Sequence, residues 1–122
     1  MSPYETNEDK AEIYEKAAEY LSDPKHFIQG AIGRDTYEEP KFCILGAVNY
    51  ADTGDRNAFD YPDDDLVEPL YDVIVEERWN KPNNNSSLKD TVTSFNDDTQ
   101  DPKVRARVIY VLREAARRLR SS

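Results

Sequence analysis

One cysteine, one histidine, one tryptophan and four glycines stand in the 122 residues of this sequence. A lone cysteine, Cys43, cannot form an intrachain disulfide, and it excludes the paired-cysteine spacings of structural zinc and iron–sulfur sites. One histidine with one cysteine is too few for a protein-ligated transition-metal site, so neither a metal nor a cofactor is expected. The glycines form neither of the familiar phosphate-binding loops, G-x-G-x-x-G or G-x-x-x-x-G-K-[ST]. No run approaches 18 apolar residues, and "MSPYETNEDKAEIY" has neither a basic nor an apolar targeting region. A cytoplasmic protein with no membrane span is the expectation.

Acid is what the sequence has in plenty: twenty-five Asp or Glu against sixteen Lys or Arg give a formal charge of −9. That charge disfavours nucleic acid and anionic membrane, which want a positive field, and favours a basic or mixed-charge protein surface as partner. A homodimer is compatible with the same composition. The acids are unevenly placed: residues 1 to 101 hold twenty-four acids and nine bases, a net of −15, whereas residues 102 to 122 hold one and seven, a net of +6. Eight Tyr, four Phe and one Trp supply more ring material than a disordered acidic tail carries, so the chain is expected to fold.

The periodicity predicts an all-α protein, a compact bundle of four to five helices in a single domain over 1–122, with 1–7 and 120–122 frayed. Thr6 and Asp9 have capping-box spacing, and Ile13, Tyr14, Ala17, Ala18 and Leu21 form an apolar stripe that "SDP" ends. Residues 22–40 read as a long ordered loop, with one short turn or a two-stranded excursion as its alternative forms, pinned to the core by Phe27, Ile28 and Ile32. Glu39 and Pro40 then predict the start of a second helix through "KFCILGAVNYA", in which Gly46 implies close approach of another backbone. Leu66, Leu70 and Ile74 predict a third helix, with Pro69 in its first turn or at its start. Ser87 and Asp90 open a fourth carrying Leu88, Val92 and Phe95; Asp101-Pro102 opens a fifth carrying Val104, Val108, Leu112, Ala115 and Leu119.

Few residues carry chemistry. Cys43, near a helix start, could be an activated thiol; with His26 as base and Asn96 or Asp97 as orienting group it would make a small cysteine-dependent hydrolase or transferase. The bland reading of "FCILGA" is a buried core cysteine. A pocket lined by Gln29, Cys43 and Asn96 would instead bind a small ligand. Arg113, Arg117 and Arg120 share one side of the last helix, facing either internal acids or a partner. Neither "DTGDRNAFDYPD" nor "NDDTQDPKVRAR" has the ligand order of a calcium loop, which leaves only scattered carboxylates for a divalent ion. The leading expectation is a non-enzymatic interaction or accessory protein presenting an acidic surface, with Gln29, Asn96, Asp97, Arg113 and Arg117 as binding residues.

Four pieces in order, "HFIQGAIGRDT", "FCILGAV", "FND" and the final helix, resemble an uncharacterised family of small helical proteins of actinobacteria and their bacteriophages. In that family the first piece carries a tryptophan, glutamine and glycine cluster, the second is a Cys-x-Leu-Gly-Ala core helix, and the third is Trp-Asn-Asp. Phe27 and Phe95 stand where tryptophans are common, keeping an aromatic anchor without the indole N–H. The resemblance implies a shared architecture and a phage or actinobacterial origin; it brings no activity with it.

Overall fold

The computed structural model describes residues 6–34, 39–56, 60–79, 87–98 and 101–121. Of the frayed start expected at 1–7, residues 1–5 lie outside the described residues, whereas Thr6 caps the first helix and Asn7 begins it; of the break expected at 80–87, residues 80–86 lie outside and Ser87 caps the fourth helix. Five helices carry the described chain: α1 Asn7–Leu21, α2 Ile44–Thr53, α3 Asp64–Glu76, α4 Leu88–Asn96 and α5 Val104–Ser121. The mainly helical architecture expected from periodicity is therefore the one observed. Between α1 and α2 lie a short 3₁₀ turn, Pro24–His26, and two two-residue strands, β1 Gly33–Arg34 and β2 Lys41–Phe42.

α1 and α5 form the most extensive helix pair, α2 packs on α1, and α3 packs on α4 and α5. The stripe read for α1 is buried in full, and so are Val104, Val108, Leu112 and Ala115 of α5. Tyr14 takes a hydroxyl into this core, which is tolerable because it donates to the carbonyl of Leu66 at 2.6 Å. Both capping boxes close at their N-caps: Thr6 Oγ1 accepts from the N–H of Asp9 at 3.1 Å, and Ser87 Oγ from that of Asp90 at 3.3 Å. Across the α1–α5 seam Arg120 donates to Glu8 at 3.0 Å and also reaches Glu15. Arg120 was placed by sequence in a frayed end, yet it lies inside α5 and ties that helix to α1.

Two helix starts differ from the sequence reading. α2 begins at Ile44 with Cys43 as its N-cap, four residues later than Pro40 suggests. The reason is a long-range pairing: Lys41 and Phe42 lie antiparallel to Arg34 and Gly33, and the N–H of Cys43 donates to Ile32 at 3.0 Å, so this stretch is already extended. α3 begins at Asp64, which makes Pro69 its sixth residue and removes one helical hydrogen bond from the second turn. Gly46 does lie against another backbone: a Cβ there would overlap the carbonyl of Ile32 and stand 2.9 Å from the Phe42 ring. At the far end of α3, Arg78 takes φ 62°, and the N–H of Trp79 donates to Ile74 at 3.0 Å, a Schellman closure built without glycine.

Candidate functional site

Of the five residues expected to bind, Gln29, Asn96 and Asp97 are brought together at a corner where α4 ends, α2 begins and the 27–32 segment passes between them, whereas Arg113 and Arg117 lie apart on α5. Asn96 is fully buried. Its Oδ1 accepts from the N–H of Ile44 at 2.9 Å, and its Nδ2 donates to the carbonyl of Ile28 at 3.2 Å and to Asp97 Oδ1 at 3.0 Å. The same Asp97 oxygen accepts from the N–H of Gly30 at 2.9 Å. Gln29 Nε2 donates to the carbonyls of Asn96 and Asp98 at 3.0 and 3.3 Å, satisfying the open end of α4. Through Gln29 Nε2, both polar atoms of Asn96 and Asp97 Oδ1, these three side chains partner backbone groups of the fold.

Cys43 lies beside this corner, 1% exposed. Its Sγ accepts from the N–H of Gly46 at 3.4 Å. Burial pushes the thiol up to about 11, with Asp97 adding to the rise, while the N–H groups of Gly46 and Leu45 offset only part of it. The cysteine is thus a neutral, weak helix cap at neutral pH rather than a thiolate.

His26 is buried on the 3₁₀ turn and stacks on Tyr20, ring centroids 3.9 Å apart and planes within 9°. Its Nδ1 bonds the carbonyl of Tyr20 at 2.7 Å, and its Nε2 contacts the carboxylate of Glu39. Burial pulls the imidazole pKa down, but Glu39 and the Tyr20 carbonyl outweigh it, and the net shift is upward. Both ring nitrogens are engaged with groups other than the thiol.

The arginines of α5 divide. Arg117 is held by Glu114, and Arg118 by Glu76 at 2.7 Å, whereas Arg113 is exposed and makes no salt bridge among the described residues. Arg107 pairs with Asp101 at 2.8 Å and lies 5.1 Å from the Trp79 ring centre. The basic helix therefore turns much of its charge inward on the protein's own acids.

A groove of ≈ 310 Å³ between α1, α3 and α5 is a different kind of feature. Pro69 and Leu119 give it apolar surface over the buried Ala115, and Asp65, Glu68 and Asp72 line it from α3, with Lys10 and Arg118 completing the lining. Spacings of three and four put the three acids on one helix face. All three are exposed, and none makes a salt bridge among the described residues. α3 carries five exposed acids and no base, so Asp65–Glu68, Glu68–Asp72 and Asp72–Glu76 are like-charge neighbours, each costing roughly 0.2–0.5 kcal/mol.

The model of a family of unknown function, DUF6197, matches residues 5–118. The chain belongs to that family. The match takes in the whole Asn96 corner and every groove residue except Leu119. No curated protein and no solved structure matches the chain. Among the described residues of this DUF6197 chain, no helix is long and apolar enough to cross a membrane.

Sequence reading passed over the groove and over Glu39. The acids of α3 were visible as charge on the polar face of an amphipathic helix, but their convergence with Leu119 depends on how three helices pack. Glu39 was read as a helix cap, whereas the chain carries it across to His26.

Proposed function

We propose that this chain is a non-enzymatic interaction protein that seats a basic segment of a partner protein in the groove between α1, α3 and α5. The observation that carries the reading is the stripe Asp65, Glu68 and Asp72, three exposed acids without salt bridges among the described residues, beside apolar surface from the half-buried Pro69 and Leu119. A partner Lys or Arg would lay its methylene stem on the apolar residues and its cationic head against the acids. Docking would relieve the like-charge repulsion along α3 that the isolated protein carries. The same reading keeps the expected setting as part of the proposal: the cytoplasm of an actinobacterium, with the protein encoded by the bacterium or its phage.

The cysteine-hydrolase alternative has no support from the site, because Cys43 is buried with a raised pKa and His26 is engaged by Tyr20 and Glu39. Small-ligand binding by Gln29, Cys43 and Asn96 fares no better, since Gln29 Nε2, the Cys43 sulfur and both polar atoms of Asn96 hold backbone groups of the fold.

The test is fluorescence anisotropy with a labelled Lys/Leu amphipathic helical peptide. Combining Asp65→Asn, Glu68→Gln and Asp72→Asn is expected to weaken binding about tenfold, the sum of three modest surface attractions. Neutralising Glu12 and Glu19 on α1 removes comparable charge away from the groove, and equal weakening by that pair would count against the proposal.

A further inference from the structure

Asp23, His26 and Glu39 each offer a ligand atom to one small region, and those atoms all lie within 4.8 Å of one another. Asp23 and His26 come together because they are three residues apart across a 3₁₀ turn, where such side chains eclipse. Asp23 caps that turn from an exposed position: its Oδ1 accepts from the N–H of Lys25 at 3.0 Å. Glu39 arrives from the strand side of the loop, just before Pro40, whose carbonyl receives the Tyr20 hydroxyl.

The decisive relationship is the orientation of the imidazole. A backbone carbonyl can only accept, so the 2.7 Å contact between His26 Nδ1 and the Tyr20 carbonyl requires the proton to be on Nδ1. In the neutral ring, Nε2 then carries a lone pair, and that lone pair faces the Glu39 carboxylate, itself an acceptor. Two acceptors face to face need a cation between them, either a second ring proton or a metal ion. Stacking on Tyr20 and near-complete burial hold the ring in this pose, so Nε2 is presented without a search over rotamers. An imidazole whose other N–H is tied to a backbone carbonyl is the usual outer arrangement of a metal-ligating histidine.

We propose that Asp23, His26 and Glu39 form a binding site for a divalent transition ion of the zinc class, with His26 Nε2 and one oxygen from each carboxylate as ligands and water at the remaining position. The expectation of no metal counts only histidine and cysteine as ligands; with the two carboxylates that the fold brings to His26, the mixed nitrogen–oxygen set suits Zn²⁺ and leaves an open coordination position. Tetrahedral bonds of about 2.0–2.1 Å put ligand atoms about 3.3 Å apart, so the ion parts Glu39 from His26 and draws Asp23 inward. Asp23 and Glu39 are both exposed, and their side chains can make those movements by rotation while the buried ring stays in place. The site is independent of the acidic groove, and either can fail without the other.

The experiment is isothermal titration of the purified, EDTA-treated full chain with ZnCl₂, followed by thermal denaturation with and without Zn²⁺. One equivalent is expected to bind with a rise in Tm, and Co²⁺ in its place is expected to give visible d–d absorption. Because His26 is buried and its replacement can unfold the chain, the deciding variants are the exposed Asp23→Asn and Glu39→Gln. Each is expected to keep the helical circular dichroism and to weaken Zn²⁺ about tenfold or more. Absence of stoichiometric Zn²⁺ binding overturns the proposal, leaving a protonated His26–Glu39 pair. Stoichiometric binding unaffected by both variants overturns it equally, because the ion would then lie elsewhere.

Discussion

The carboxamide oxygen of Asn96 accepts the first backbone N–H of α2, that of Ile44, at 2.9 Å across a separation of 52 residues. With the same side chain donating to Ile28, the end of one helix, the start of another and the segment between α1 and α2 share a single buried group. The corner "FND" is therefore a fastening of the fold.

Replacing Asn96 by Ala leaves the buried Ile44 N–H and the half-buried Ile28 carbonyl without this partner. The expected loss is about 2–4 kcal/mol in urea unfolding, from two groups worth roughly 1–3 kcal/mol each after partial relaxation. Asn96→Asp keeps an acceptor for Ile44 but loses the donor to Ile28 and sets a second carboxylate against Asp97, so it is expected to be no better. A drop below 0.5 kcal/mol (about the size of an ordinary surface change) for Asn96→Ala would show that the corner does not hold the fold together.

Gly46→Ala should destabilise despite alanine's higher helix propensity. The added methyl meets the Ile32 carbonyl and the Phe42 ring, and forcing it into that packed contact costs about 1–3 kcal/mol, against a propensity gain of about 0.5–1. The Tm of this single variant decides the matter; an unchanged or higher Tm would mean that the Ile32 backbone does not lie on α2 as described.

Cys43 should resist thiol reagents in the folded state. With burial lifting its pKa to about 11, the native protein at pH 8 is expected to react with a disulfide reagent about a hundredfold slower than the guanidinium-unfolded chain. Reaction at comparable rates would restore the cysteine to the list of candidate nucleophiles.

The Glu8–Arg120 contact predicts an acid dependence. Hydrogen bonding to Arg120, more than its charge alone, holds the Glu8 carboxyl below its ordinary value in the folded state, although partial desolvation opposes the shift. A depressed carboxylate contributes stability above its unfolded pKa and loses it as pH falls through the folded one. Arg120→Ala should therefore be less stable than the parent near neutrality, with the gap closing as the pH drops below about 4. A gap independent of pH would assign the effect to packing of the arginine stem.

Local patterns made much of this fold legible. The α1 and α5 stripes, the caps at Thr6 and Ser87 and the backbone contact at Gly46 are written in short spacings that a helix turns directly into faces and ends. The start of α2 was misread because Pro40 has the local look of a first helical residue, while what extends Lys41 and Phe42 is a partner strand seven to nine residues earlier in the chain. Cys43 as a cap was likewise hidden, sulfur being a weak acceptor seldom used there. Asn96 and Asp97 were visible as polar residues at a helix end, but their bonds to Ile44, Ile28 and Gly30 span more than fifty residues. The groove needed the packing of three helices, and pairing His26 with Glu39 needed the path of the loop between them.

The most direct measurement is a two-dimensional ¹H–¹⁵N NMR titration of the labelled chain with the same Lys/Leu helical peptide. Occupation of the groove predicts saturable shifts concentrated at Lys10, Asp65, Glu68, Asp72, Arg118 and Leu119, and their loss when the three α3 acids are neutralised. Shifts spread evenly over the acids of α1 and α3, without saturation, would contradict it: the negative charge would then be a diffuse solubilising field rather than a docking surface.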